Sequence, residues 1–248
     1  CQDEYDYFTR TFDQDTTLYA AWINEDEGSV YIYAPLTEDT VEIRSYTGRR
    51  RFLTVPGQLG GKTVTSIGEH AFAGNTRIRT VILPDTIANI SRYAFANCSS
   101  LRSIEMPEAV TSVGEYAFGS CVSLKYINIP SRVTVINEGT FSNCSVLGSV
   151  FIPQNSSLTS VKTRAFSFSG LSEFNIPQLL SEFAEDALYG STHMSSITVS
   201  AGNTAFQIVG NALYDKGGTK LLYYPSGLAG SYSVNANTAE IGPYAFAY

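Results

Sequence analysis

Three of the four cysteines, two histidines, a basic row and a few aromatic residues are the groups in this 248-residue chain whose types and spacing could do chemistry. Their spacing decides what each can do. Cys98, Cys121 and Cys144 recur every 23 residues. Thiolates on one zinc ion must converge on a tetrahedron, whereas equivalent positions on successive coils form a straight row, so no metal site is expected. Parallel side chains also suit disulfide torsions poorly. Burial as a file of small groups fits better, because free cysteine is among the most buried residue types, and Asn75 and Ser191 hold the same place in other units. His70 and His193 stand far apart in the chain, too far in an elongated molecule to share a metal or form a base–nucleophile pair. There is no glycine-rich phosphate loop and no pair of carboxylates at a motif spacing. The chain is expected to be no enzyme and to need no cofactor.

A second group of residues suits binding rather than catalysis. Counting two and four residues back from regularly spaced prolines gives positions expected to face outward on short strands. Most are small or polar, which suits a solvated sheet. Ile82, Tyr126 and Phe151 are not, and with Glu105, Asn128, Asn175 and Tyr223 they compose a candidate binding strip. Aromatic rings beside asparagines suit a protein or glycan ligand, and cross-strand packing for stability alone is the competing reading. One position earlier lies a basic row, Arg79, Arg102 and Lys125. Stacked like charges cost stability unless compensated, so the row implies an anionic partner, acidic neighbours such as Glu105, or simply a solvated rim. Arg49, Arg50 and Arg51 read as an exposed turn.

The elements that must position these residues come from a repeat. An Ala-Phe anchor, or its Leu variant, recurs at Phe72, Phe95, Phe118, Phe141, Phe166, Leu188, Leu213 and Phe246, with prolines in step at Pro84, Pro107, Pro130, Pro153 and Pro177. Apolar columns run five residues before the anchor (Ile67, Ile90, Val113, Ile136, Val161, Phe183, Ile208, Ile241) and eight before it (Val64, Ile87, Val110, Val133, Leu158, Leu180). In the unit Val110–Pro130, the tail Leu124–Ile129 alternates like a strand. Pro130 lacks an N–H and ends it. A 23-residue unit cannot bury its own columns, but stacking at ~4.8 Å makes each column a continuous interior, giving a rod of some ~35–40 Å. A β-sandwich would have to produce eight in-phase anchors by coincidence.

With those residues in view, the sequence resembles the BspA-like leucine-rich-repeat family, whose unit runs V-T-S-I-G-x-x-A-F-x-x-C-x-x-L-x-x-I-x-I-P. The resemblance runs from Val64 to Tyr248, and Gly210–Pro225 is similar to a family variant in which a hairpin replaces the turn. Asp215-Lys-Gly-Gly218 is itself good hairpin-turn chemistry. The expected fold is a β-rich leucine-rich-repeat solenoid over residues 63–248, seven near-complete units and a partial eighth, behind an N-terminal β cap over 25–62. Residues 1–24 are assigned to a remnant of a small β module, because Phe12–Trp22 resembles the end of an internalin-type B repeat.

Composition narrows the partners. A net charge of −7 argues against nucleic acid. Eleven acidic residues against Arg10 and Arg44 lie between Cys1 and Gly48. No apolar stretch is long enough to span a bilayer. Cys1 raises a lipid anchor, but without an upstream signal the truncated-module reading is preferred. The half-unit at Tyr248 leaves an uncovered edge, so the chain is expected to be a piece of something longer. The resemblance implies a secreted or cell-surface, adhesin-like module for an extracellular protein or glycan, and the module is expected to be monomeric. A glycan-binding surface protein and a non-catalytic arm of a larger enzyme are the alternatives.

Overall fold

A computed structural model describes residues 7–11, 17–22 and 30–247, and among them the architecture is a helix-free β-solenoid of about nine turns. Every coil stacks three stretches on the next. The first ladder is built from Phe52–Thr54, Thr80–Ile82 and Ser103–Glu105, then Tyr126–Asn128 with Ser149–Phe151, then Glu173–Ile176 with Ser196–Val199, all parallel. A second ladder stacks Lys62–Ile67, Asn89–Ile90 and Ser112–Val113, and again Val135–Ile136, Ser160–Val161 and Glu182–Phe183. The third is the Ala-Phe turn, where the Phe72 N–H donates to Ala94 O at 2.8 Å and the Phe95 N–H to Ala117 O at 2.8 Å. That turn contains no helix. It reverses the chain by placing the residues two before and two after the anchor in the left-handed region, as at Tyr93 and Asn97, Tyr116 and Ser120, and Gly139 and Asn143.

The repeat columns make the core. Val64, Ile87, Val110, Val133, Leu158 and Leu180 are buried, as are Phe72, Phe95, Phe118, Phe141 and Phe166. From Phe72 to Phe141 the rings stack with centroids 4.9 to 5.4 Å apart and planes within 5°. Each such side chain gains roughly 1.5–3 kcal/mol from leaving water. Phe246 departs from the expected column and is half-exposed, because among the described residues no coil stacks on its outer side.

The cysteines are buried, as their spacing implied. Each Sγ–H donates to the anchor carbonyl of the preceding coil: Cys98 to Phe72 O, Cys121 to Phe95 O and Cys144 to Phe118 O, at 3.1 to 3.2 Å. Ser191 Oγ makes the same bond to Phe166 O at 2.8 Å. Burial pushes the Cys98 and Cys144 thiols up to about 12, so they stay protonated donors.

Both ends switch to antiparallel pairing. Tyr7–Thr11, Thr17–Trp22, Val30–Pro35 and Thr40–Tyr46 form a meander whose last strand joins the second ladder in parallel. Cys1 and residues 12–16 lie outside the described residues; of the Phe12–Trp22 stretch only Thr17–Trp22 falls within them. Near the other end, Phe206–Val209, Ala212–Asp215 and Lys220–Tyr223 form the expected antiparallel unit. Its turn is held by the Asp215 carboxylate, which accepts from the Thr219 and Lys220 N–H groups at 2.8 and 2.7 Å. This unit corrects one expectation. Tyr223 is 2% exposed, not on a binding face. The Lys220–Tyr223 strand is covered on both sides, by the main core against Leu222 and Tyr223 and by Ala212, Tyr214 and Ala245 against Leu221.

Candidate binding face

The first ladder's outer surface is where the remaining candidates meet. Within each strand the residues one and three before the proline point inward, as Ile127 and Ile129 do, and those two and four before it face solvent. Two outward rows result. One carries Phe52, Thr80, Ser103, Tyr126 and Ser149; the other carries Thr54, Ile82, Glu105, Asn128, Phe151, Asn175 and Thr198. Ile82 is 47%, Tyr126 49% and Phe151 62% exposed, and among the described residues none of these rings stacks on another. Ring-on-ring pairing is therefore not what places these side chains on the sheet. Glu105 and Asn128 are exposed as expected. The Asn175 amide is engaged within the ladder, donating to Thr198 Oγ1 and accepting from Ser200 Oγ, both at 2.8 Å.

The most exposed aromatic of this face, Phe52 at 71%, lies in a segment read from the sequence only as part of the cap. Its strand is the ladder's first rung, with Phe52 opposite Thr80 and Thr54 opposite Ile82. The signal was present: Arg51-Phe-Leu-Thr-Val-Pro56 has the pattern of Arg79-Thr-Val-Ile-Leu-Pro84. It lay out of step because a small hairpin, Gln58–Leu59 pairing with Lys62 and Thr63 across Gly60 and Gly61, lengthens that coil.

Arg79, Arg102 and Lys125 sit where the turn enters the strand, at the margin of this face, and Arg51 extends their row. The Arg79 N–H donates to Arg51 O and the Arg102 N–H to Arg79 O, both at 2.7 Å. Arg102, Lys125 and Arg51 are exposed and Arg79 is half-buried.

The histidines do not meet. His193 is exposed, while the His70 ring stacks on Tyr93, which stacks on Tyr116, with centroids 4.9 and 5.3 Å apart. This outer aromatic file is not a sugar platform, since the rings cover one another's faces. Among the described residues no group of histidine, cysteine and carboxylate could hold a metal ion. The largely buried Glu42 carboxylate is engaged by Arg44 Nε at 2.7 Å and accepts from Ser66 Oγ at 3.0 Å. No helix of the described residues is long and apolar enough to cross a membrane.

Comparison with known proteins agrees with this geometry. The family described as BspA type leucine rich repeat region matches residues 65–195 in six copies, ending before the hairpin unit. Among solved structures, a leucine rich cell surface protein from Faecalibacterium prausnitzii is similar with a TM-score of 0.62 and 26% identity, over 83% of this chain and 61% of that one. The pneumococcal vaccine antigen PcpA gives a TM-score of 0.66 at 21% identity, over 90% of this chain and 61% of that one. A leucine rich repeat protein from T. pallidum gives 0.51 at 21% identity, over 86% and 78%. The last two likenesses are of fold. The chain spans about three fifths of the length of the first two structures. No curated protein sequence matches it.

Proposed function

The chain belongs to the BspA-type leucine-rich-repeat family, and from that premise we propose that it is a non-catalytic interaction module of a secreted or cell-surface bacterial protein. It acts as a monomer, presenting the outer face of its first ladder to an extracellular protein or glycan, in the manner of an adhesin. The observation that carries this reading is the set of exposed apolar side chains, Phe52, Ile82, Tyr126 and Phe151, on an otherwise small and polar sheet. Solvated sheets rarely spend large rings this way, and aromatic anchors are what hot spots are made of. The surface character of the Faecalibacterium neighbour supports the location. In this reading residues 63–248 are the recognition solenoid, 25–62 its cap and 1–24 the remnant of a preceding surface module of the internalin B-repeat kind.

The test is a panel of immobilised host-matrix proteins and a glycan array, probed with the chain and with the Tyr126→Ser/Phe151→Ser double variant. Serine already stands in the row of Tyr126 at Ser103 and Ser149, and small polar residues stand in the row of Phe151 at Asn128, Asn175 and Thr198, so the fold should hold. Expected is retention on at least one probe, a loss of at least ~10-fold in affinity for the double variant, on the scale of one or two lost anchors, and an unchanged unfolding midpoint. Equal affinity of both proteins for every probe that binds would remove this face as the site.

A further inference from the structure

We propose that Arg51, Arg79, Arg102 and Lys125 form a cation ladder that binds a linear acidic polysaccharide, with Phe52 and Tyr126 beside it as platforms for sugar rings. The proposal deepens the surface-module reading above and rests on it.

Four successive coils each place one cation at the same point. Their backbones are joined in register, Arg79 N–H to Arg51 O and Arg102 N–H to Arg79 O at 2.7 Å, and Lys125 N–H to Arg102 O at 3.3 Å. At the ~4.8 Å separation of neighbouring strands the row is about 14 Å long. Like charges stacked at that spacing repel, and several cations elsewhere in the solenoid meet a carboxylate from a neighbouring coil. Arg92 meets Glu115 at 3.2 Å, Lys162 meets Glu182 at 2.8 Å, and Lys220 meets Glu185 and Glu240 at 2.7 and 2.6 Å. Among the described residues no ion pair reaches Arg51, Arg79, Arg102 or Lys125. The turns that lead into these strands, residues 75–79, 98–102 and 121–125, contain no Asp or Glu, and Arg77 adds a further cation. Glu105, the carboxylate of the adjoining strand, faces solvent two residues before its proline and pairs with none of them.

The row also has bounds. In the next coils the same position holds Gly148, Ser172 and Ser195, so the charge stops after four rungs although the ladder continues. At its other end an open depression of about 530 Å³ is lined by Arg49, Arg50, Arg51 and Phe52. A narrow file of positive charge flanked by exposed rings fits a single extended chain with a recurrent anion and an apolar sugar face. It does not fit duplex nucleic acid, which needs a broad basic field, and this chain carries a net charge of −7.

The experiment measures binding of the full chain to four probes: polygalacturonate (carboxylate only), heparin (sulfated), neutral dextran and duplex DNA. Two double variants remove equal charge, Arg102→Ser/Lys125→Ser from the row and Lys62→Ser/Arg132→Ser from outside it. Serine stands in this column naturally at Ser172 and Ser195, so the row variant should fold, and its unfolding midpoint is measured alongside. Expected is binding to at least one acidic polysaccharide and not to dextran, weakening by about 10-fold or more between roughly 50 and 200 mM salt. The row variant should lose at least ~10-fold in affinity, the size of effect expected when two charge contacts are removed, and the control variant little. The two acidic probes separate carboxylate from sulfate as the group recognised. Failure to bind either, equal loss in both variants, or tighter binding to DNA would overturn the ladder proposal. If neither polysaccharide binds while a matrix protein still depends on Tyr126 and Phe151, the strand-face reading stands and the ladder alone falls.

Discussion

Two files of aromatic rings run along this solenoid, two residues apart in the three coils that carry both. The inner one, Phe72 through Phe166, is buried, and its centroids lie 4.9 to 5.4 Å apart. The outer one, His70, Tyr93 and Tyr116, is partly in water, yet its centroids lie 4.9 and 5.3 Å apart with planes within 16°. The stacking distance in both files thus follows the pitch of the coils. What separates the files is the surroundings. The inner rings are enclosed by the columns five and eight residues before the anchor, the outer ones by solvent and one cation, Arg92, whose guanidinium lies 4.7 Å from the Tyr93 ring centre. Geometry alone therefore says little about energy here, and burial decides.

The sharpest way to break this comparison is to delete one ring from each file. Phe118→Ala leaves a cavity between two fixed neighbours, Phe95 and Phe141, and is expected to cost ~3–5 kcal/mol in urea unfolding. Tyr116→Gly removes a ring of the outer file while suiting the left-handed backbone there (φ 52°), so it should cost less than about 1.5 kcal/mol, the upper value for a single aromatic pair. Comparable losses for the two variants would mean that stacking, and not enclosure, carries the stability.

A smaller effect tests how the outer file ends. Gly139 continues the Tyr116 column at φ 57°, and a Cβ there would overlap Tyr116 Cε1. The tyrosine ring rests on a glycine. Gly139→Ala is expected to cost about 1–3 kcal/mol, from the left-handed strain and the displaced ring. Combined with Tyr116→Ser, the ring's share should return and only the backbone share remain, a coupling that a double-mutant cycle reads directly. Additive losses would show that the ring moves aside without resistance.

Much of this was legible in the sequence. Columns of Val, Ile and Phe at fixed offsets from the anchor leave a stacked interior as the one way to bury them all, and the cysteine file followed from the same count. The pairing of outward residues into rows was legible too, for strands that end in a proline at the regular interval. The failures came where the interval changed. Phe52 escapes the proline count, and Arg51 reads only as part of an exposed turn, because the Gly60-Gly61 hairpin pushes Pro56 out of step. Tyr223 was placed outside because a rule drawn from parallel single strands was carried onto a hairpin strand packed on both sides. The outer ring file was visible as residue types, but its stacking depended on left-handed φ at non-glycine residues, which no local preference announces.

The smallest effect expected is a titration. Tyr116 Oη donates to Glu138 Oε1 at 2.7 Å, linking the outer file to the next coil. That bond to a carboxylate, with a lesser contribution from burial, pushes the phenol up to about 12. Because the folded state holds this proton more tightly than the unfolded chain, the contribution is complete below the ordinary tyrosine value near 10. It fades as pH rises from about 10 through about 12. In Glu138→Gln the neutral amide no longer opposes the phenolate, so the ultraviolet difference spectrum between variant and parent should show one tyrosine ionising at lower pH in the variant. The loss of stability that this phenol contributes between about pH 10 and 12 should then be smaller in the variant than in the parent. Superimposable titrations below the onset of unfolding would mean that Tyr116 and Glu138 do not meet in solution, and that the outer file is held by pitch and stacking alone.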